Sequence, residues 1–191
     1  MTANRIIEIA LDHFAENGYE GASLAHIAEQ VGIKTPSIYA HFKSKDDLFL
    51  RVIEQAIHDE LKLLREFCER NRDNTVQHQL FELIAQYKDR YDNDNSVKFL
   101  LRMMFFPPVS LQALVMEHIN AYLDKMEQML VTVFERGMER AEVAQLDVGT
   151  VTASFMCLLD GVLVEMLLGG PVRFKKRLDA SWKIYWLSLT P

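Results

Sequence analysis

A chain of 191 residues, 49% hydrophobic and 25% charged, has enough apolar content for one or two packed domains. Its formal charge of −6 excludes a protein that coats nucleic acid indiscriminately, because the phosphate backbone demands a large cationic surface for that. Cys68 and Cys157 are far apart and in no metal or redox spacing, and Met1 to Ala10 holds Arg5 and Glu8 but no apolar run, so a disulfide scaffold, a thiolate metal site and a signal peptide are all set aside and the expected location is the cytoplasm.

The most informative stretch runs from Ala22 to Leu48. Leu24, Ile27, Ala28 and Val31 make the stripe of a short amphipathic helix, with Ser23 in the N-cap position and Gly32 placed to turn the chain in the left-handed conformation. Thr35-Pro36 restarts it. Pro36 suits the first helical position and biases Thr35 towards the extended backbone of an N-cap, which predicts a second helix over roughly residues 36–42. Ile38 and Phe42 share its buried face, so Ala40 points outward, with Pro36, Ser37 and Lys43 near it and Tyr39 and His41 at the boundary. A small outward residue flanked by a phenol and an imidazole allows close approach to DNA and contact with phosphates or base edges. Ser44-Lys45-Asp46-Asp47 has the S-x-x-D spacing of a helix start, and Lys45 in that first turn suits a bound phosphate. Residues 1–50 carry four basic and seven acidic side chains, yet 33–45 hold three Lys and no acid, so the positive charge is local. So few phosphate contacts per subunit predict that specific binding needs a dimer.

Beyond Asp46 the pattern is helical, with no alternating strand signal. One long helix is expected from Lys45 to about Asn71, a second from Thr75 to Tyr91, then Ser96–Phe106, Ser110–Arg140, Asp147–Leu168 and Val172–Leu189, with breaks at Asp92–Asn95, Pro107-Pro108 and Gly169-Gly170-Pro171. Val148–Leu168 is apolar on every side; two carboxylates and two glycines favour a buried or interface helix over a membrane span. Asp160 and Glu165 lie about 140° apart around it and each needs a partner, for which an Arg or Lys across a dimer interface is the simplest expectation and an effector the sharper one. The basic run Arg173–Arg177 reads as a solvated face. Met103, Phe105 and Phe106 before the double proline, with Met126 and Asp160 later, are candidate linings of a small-molecule cavity, although ordinary core packing uses the same residues. Six scattered His make no H-E-x-x-H or i, i+4 ligand pair, and no nucleophile-elbow or phosphate loop is present, so neither catalytic residues, nor a metal site, nor a cofactor is expected.

The pattern S-L-A-x-I-A-x-x-V-G-I-x-x-P-S-I-Y-x-H-F-K-S-K-D-D-L, together with Ile7, Ala10, Leu11, Phe14, Gly18 and Tyr19 upstream, closely resembles the DNA-binding domain of TetR-type transcriptional regulators over about the first quarter of the chain. That resemblance implies phosphate contacts at Ser23, Tyr39, His41 and Lys45 and base-edge positions at Thr35, Pro36 and Ser37. Lys34 and Ala40 depart from the family's usual residues, which bears on the operator sequence. It also implies an all-α fold of about nine helices. A three-helix helix-turn-helix domain over 1–48 would precede a larger helical domain over 49–191, which binds an effector and dimerises through its last two helices. The expected function is a ligand-responsive regulator, most simply a repressor, that binds a pseudo-palindromic double-stranded operator as a homodimer and has no membrane partner. The competing reading is a helical protein-interaction scaffold with a vestigial DNA-binding head.

Overall fold

The computed structural model describes residues 3–191, among which there is no strand. The helices are α1 (Ala3–Gly21), α2 (Leu24–Val31), α3 (Thr35–Ile38), α4 (Lys45–Arg70), α5 (Val76–Asn93), α6 (Asn95–Phe105), α7 (Gln112–Glu139), α8 (Val148–Leu168) and α9 (Gly170–Leu189), with a 3-10 turn at Val109–Leu111. The all-α expectation with nine helices agrees with this architecture.

Packing divides the chain into two compact units. The first holds the described residues up to Glu60 together with Asn93–Tyr122. Its core is built from Ile6, Ile9, Ala10 and Phe14 of α1, Ile27, Ala28 and Val31 of α2, Ile38, Phe42, the first half of α4, and Val97, Phe99 and Leu100 of α6. Phe49 is the hub of this core. Its ring meets Phe14 edge-on at 4.8 Å, Tyr19 at 4.9 Å and Phe99 at 5.8 Å, geometries that the aromatic quadrupole favours. Gly18, at φ 70° and ψ 179°, kinks the end of α1, a conformation open to glycine and strained for other residues. Arg102 of α6 lies against that kink, its Nη1 reaching the carbonyl of Ala15 at 3.5 Å. Nearby, Asn95 donates to Asp12 at 2.9 Å. The expected boundary after residue 48 thus falls inside the part of α4 that packs in the first unit, which runs to Glu60.

The second unit holds Leu61–Asp92 and Leu123–Pro191. Leu64 and Phe67 of α4, Leu80 and Ile84 of α5, Leu130 and Phe134 of α7, and the inner faces of α8 and α9 fill it. Phe134 meets Phe155 edge-on at 6.1 Å, and the Tyr185 hydroxyl donates to the carbonyl of Val151 at 3.0 Å, tying α9 to α8. Gly137 lets α7 approach Val76 and Val143 so closely that a Cβ there would stand 2.7 and 3.0 Å from their methyls. Among the described residues Val148–Leu168 is a helix long and apolar enough, by composition, to cross a membrane. Val151, Phe155, Leu159, Val162 and Met166 bury its inner face. Ala153, Ser154, Cys157, Gly161 and Leu168 stay exposed on the other side.

Glu165 corrects one expectation. Its side chain is 3% exposed, and its partners are Arg173, with Nε 3.2 Å from Oε2, and Arg177, all within its own chain. The basic run is therefore not merely a solvated face: two of its members neutralise a buried carboxylate. The reason is geometric. The turn at Gly169 folds α9 back so that its first turns lie beside the last turn of α8, and no local periodicity announces that return. Asp160, half-buried, forms no ion pair among the described residues, and burial raises its carboxyl above the usual range.

Candidate nucleic-acid interface

The local chemistry of residues 22–48 forms the expected helix pair with two differences. Ser23 caps α2, its hydroxyl accepting from the backbone N–H of Ala25 at 3.2 Å. Gly32 takes the left-handed conformation, φ 80° and ψ 30°, and the N–H of Ile33 closes back to the carbonyl of Ala28 at 2.9 Å. The second helix is shorter than its sequence suggests. α3 is a single turn, Thr35–Ile38, followed by further turn bonds that carry His41 and Phe42 back to the carbonyl of Ile38. Lys34, not Thr35, is its N-cap, and it makes no side-chain capping bond.

Ile38 and Phe42 are buried as their spacing requires, and they anchor the short element to the head. Lys34, Pro36, Ser37, Tyr39, Ala40, His41 and Lys43 are exposed together, Tyr39 at 55%; Thr35 and Ser23 are half-buried at the edge. The structure therefore leaves Lys34, Pro36, Ser37, Tyr39, His41 and Lys43 exposed within one short stretch, and Ala40 is exposed among them.

At the start of α4 the S-x-x-D signal becomes a reciprocal cap. The Asp47 N–H donates to Ser44 Oγ at 3.1 Å, and the Asp47 carboxylate accepts from the N–H of Lys43 at 2.8 Å. Lys45 is half-buried and folded back. Its Nζ stands 4.6 Å over the Tyr19 ring and donates to the carbonyl of Glu20 at 3.4 Å. The Tyr19 hydroxyl in turn donates to Asp46 in a very short bond. Burial, then the hydrogen bond and charge of Asp46, push the Tyr19 phenol up to about 12. From the sequence, Tyr19 entered only within the upstream pattern and Asp46 only within a helix start, and neither was connected with Lys45. The available signal was the pairing of an aromatic after the Gly18 kink with an acid in the first turn of α4.

The remaining candidates are divided between the units. In the first, Met103 is buried on α6, Phe105 half-buried and Phe106 exposed. In the second, Met126 is buried on α7 and Asp160 half-buried on α8.

Residues 6–52 match the model of bacterial regulatory proteins of the tetR family. That match places a tetR-type regulatory domain in the first quarter of the chain. The chain is similar to the fatty acid metabolism regulator protein of Bacillus subtilis, at 21% identity over 88% of this chain and 70% of that one. It is also similar to the biofilm operon negative regulator IcaR of Staphylococcus aureus, at 32% identity over 46% of this chain; the match spans about half (48%) of that relative's length. Among solved structures, FadR from B. subtilis in complex with stearoyl-CoA superposes with a TM-score of 0.74 at 18% identity, covering 98% of this chain and all (100%) of that one. A TetR-family regulator from Agrobacterium tumefaciens gives 0.76 at 21% identity, covering 99% and 97%. The proteins this chain resembles are thus described as transcriptional regulators, and the likeness to the solved structures shows a shared fold.

Proposed function

We propose that this chain is a cytoplasmic, homodimeric repressor whose two heads enter successive major grooves of a pseudo-palindromic operator and are released by a small, largely apolar effector. The observation that carries the reading is the joint exposure of Lys34, Pro36, Ser37, Tyr39, His41 and Lys43 with the small Ala40 among them, while Ile38 and Phe42 are buried. In this reading Thr35, Pro36 and Ser37 face base edges, and Ser23, Lys34, Tyr39, His41, Lys43 and Lys45 hold phosphates. Lys45 would leave its seat over Tyr19 for a phosphate or reach one from it. The domain that dimerises and binds the effector is the helical part after residue 48. Leu168 at the end of α8 and Val172, Ile184 and Leu187 of α9 are between 63% and 81% exposed, a patch that a second copy would cover.

The effector class is supported by the stearoyl-CoA bound to one structural relative, which makes long-chain acyl thioesters the first compounds to screen. Release requires that the effector bind two dimer geometries with different affinity.

Fluorescence anisotropy of the intact protein with DNA from its own upstream region, against scrambled DNA, tests the reading. Specific binding is expected to persist near physiological salt. In Lys34→Ala and Lys43→Ala it should weaken, with the slope of log affinity against log salt falling by about one per lost phosphate contact. Unchanged slopes in both variants would remove these residues from the interface. Absence of any preference there and in random-site selection would favour the scaffold reading instead.

A further inference from the structure

Within the second unit, where the end of α4 lies beside the last turns of α7, arginines gather around two adjoining hollows of about 250 and 350 Å³. The hollows share Arg72, Thr132 and Arg136. Met129, Val133 and Cys68 line the first, and Arg140 borders the second.

The cationic side chains are held in place rather than waving in solvent. Arg136 donates through Nη2 to Oε1 of the buried Gln79 at 2.7 Å, and Gln79 is itself tied to the carbonyl of Cys68 at 3.4 Å. Arg140 donates to the carbonyl of Arg72 at 3.2 Å, which keeps its guanidinium over the α4–α5 turn. The Nε of Arg136 is buried and has no acceptor among the described residues.

Their charge is poorly compensated. Burial lowers the Arg136 pKa, and the neighbouring charges of Arg140 and Arg72 lower it further, so the cationic form is held at an electrostatic disadvantage. Glu69, Glu135 and Glu139 also border the hollows, but none pairs with these arginines among the described residues. Glu142 comes within 3.9 Å of Arg140 with one oxygen while its other oxygen caps the N–H of Val76 at 2.7 Å. An anion seated between the guanidiniums would relieve that repulsion and supply acceptors in the fork geometry that arginine favours.

We propose that this groove binds an anionic amphiphile, with a phosphate or carboxylate held by Arg72, Arg136 and Arg140 and a short apolar portion laid over Met129 and Val133. The site does not depend on the operator reading, because it is assayed without DNA.

The test is isothermal titration of the full-length protein with octyl phosphate, inorganic phosphate and 1-octanol. Octyl phosphate is expected to bind one site per chain and at least about tenfold more tightly than inorganic phosphate, with no saturable binding of octanol. The variant Arg72→Gln with Arg140→Gln changes two exposed side chains and leaves the Arg136–Gln79 bond intact. It should weaken octyl phosphate at least about tenfold with an unchanged unfolding midpoint. Lys34→Ala with Lys43→Ala, on the DNA-binding head, should leave the affinity as it was. No saturable binding to the wild type, or an unchanged affinity in the arginine variant, overturns the proposal. Equal affinity for inorganic and octyl phosphate refutes its apolar half, and loss of binding in the lysine variant moves the anion to the head.

Discussion

Replacing Gly137 with alanine adds one methyl group at a point where the structure has no room for it. An ideal Cβ would lie 2.7 Å from Val76 Cγ2 and 3.0 Å from Val143 Cγ2, so the groups must part by several tenths of an ångström to reach ordinary contact. Neither valine can give easily. Val76 is fully buried and Val143 1% exposed, and both are β-branched with few rotamers. The N–H of Val76 is held by Glu142 at 2.7 Å, and the N–H of Val143 donates to the carbonyl of Gly137 itself at 3.2 Å. Overpacking of this kind destabilises by about 1–3 kcal/mol. Alanine's better helix propensity returns about 1 kcal/mol. The net expectation is a loss of up to about 2 kcal/mol, centred near ~1 kcal/mol, or roughly 2–4 °C in the unfolding midpoint at that centre for a chain of this size. Urea and thermal unfolding at fixed protomer concentration measure it, since dimerisation shifts the apparent midpoint. Val76→Ala in the same background makes space for the new methyl, so the double variant should be more stable than the sum of the single effects by at least about 1 kcal/mol. A stabilised Gly137→Ala protein, or strict additivity in the double variant, would refute the packing argument.

Three further outcomes follow from the same geometry. Arg173→Ala with Arg177→Ala strips the buried Glu165 of its counter-charges and should destabilise by about 1–3 kcal/mol, the low side of a buried-pair loss because both arginines are more than half exposed. Adding Glu165→Gln should restore most of the loss in urea unfolding, and no difference between the two backgrounds would show the carboxylate to be hydrated. The Tyr19 phenol is raised from 10.0 to about 12, so the neutral form is favoured in the fold; that contribution is complete below pH 10 and disappears as pH rises through 12. Unfolding midpoints across this range should fall more steeply in the wild type than in Tyr19→Phe, and parallel curves would remove the Asp46 bond from the account. Finally, Ile184→Glu places a charge in the exposed patch of α9 and should shift sedimentation from dimer to monomer with helical content retained; an intact dimer would put the interface elsewhere.

The head was legible because its signals are local. Ser23, the 24–27–28–31 stripe and Gly32 each report on neighbours within a turn, and the structure forms the cap, the buried stripe and the left-handed turn they specify. Ile38 and Phe42 likewise fixed the buried side of the reading element and left Ala40 outside. The length of that element was not legible. A four-residue periodicity is satisfied by α3 plus the bonded turns that follow it, so residues 39–42 keep the expected facing without continuing the helix. Partners distant in sequence were invisible for another reason. The pairing of Glu165 with Arg177 is set by how α8 and α9 fold back on each other, and the contact of Arg102 with the Gly18 kink joins residues more than eighty positions apart, consistent with the Arg102–Ala15 separation of 87. Lys45 was placed correctly in the first turn of α4, yet its side chain settles on Tyr19, because the ring face and the Glu20 carbonyl offer the ammonium a ready site.

The Phe49 hub has a consequence for how such a head can be borrowed. A graft that copied only residues up to 48 would discard the ring that Phe14 and Tyr19 pack against, and one that stopped after α4's first half would still lack Phe99, the third face of the cluster. Arg102 at the Gly18 kink and Asn95 on Asp12 would be lost with it. The smallest transplantable reader is therefore discontinuous in sequence. A chimera that moves this head onto another body must carry the α6 segment along, or supply a substitute ring at the position that Phe99 occupies.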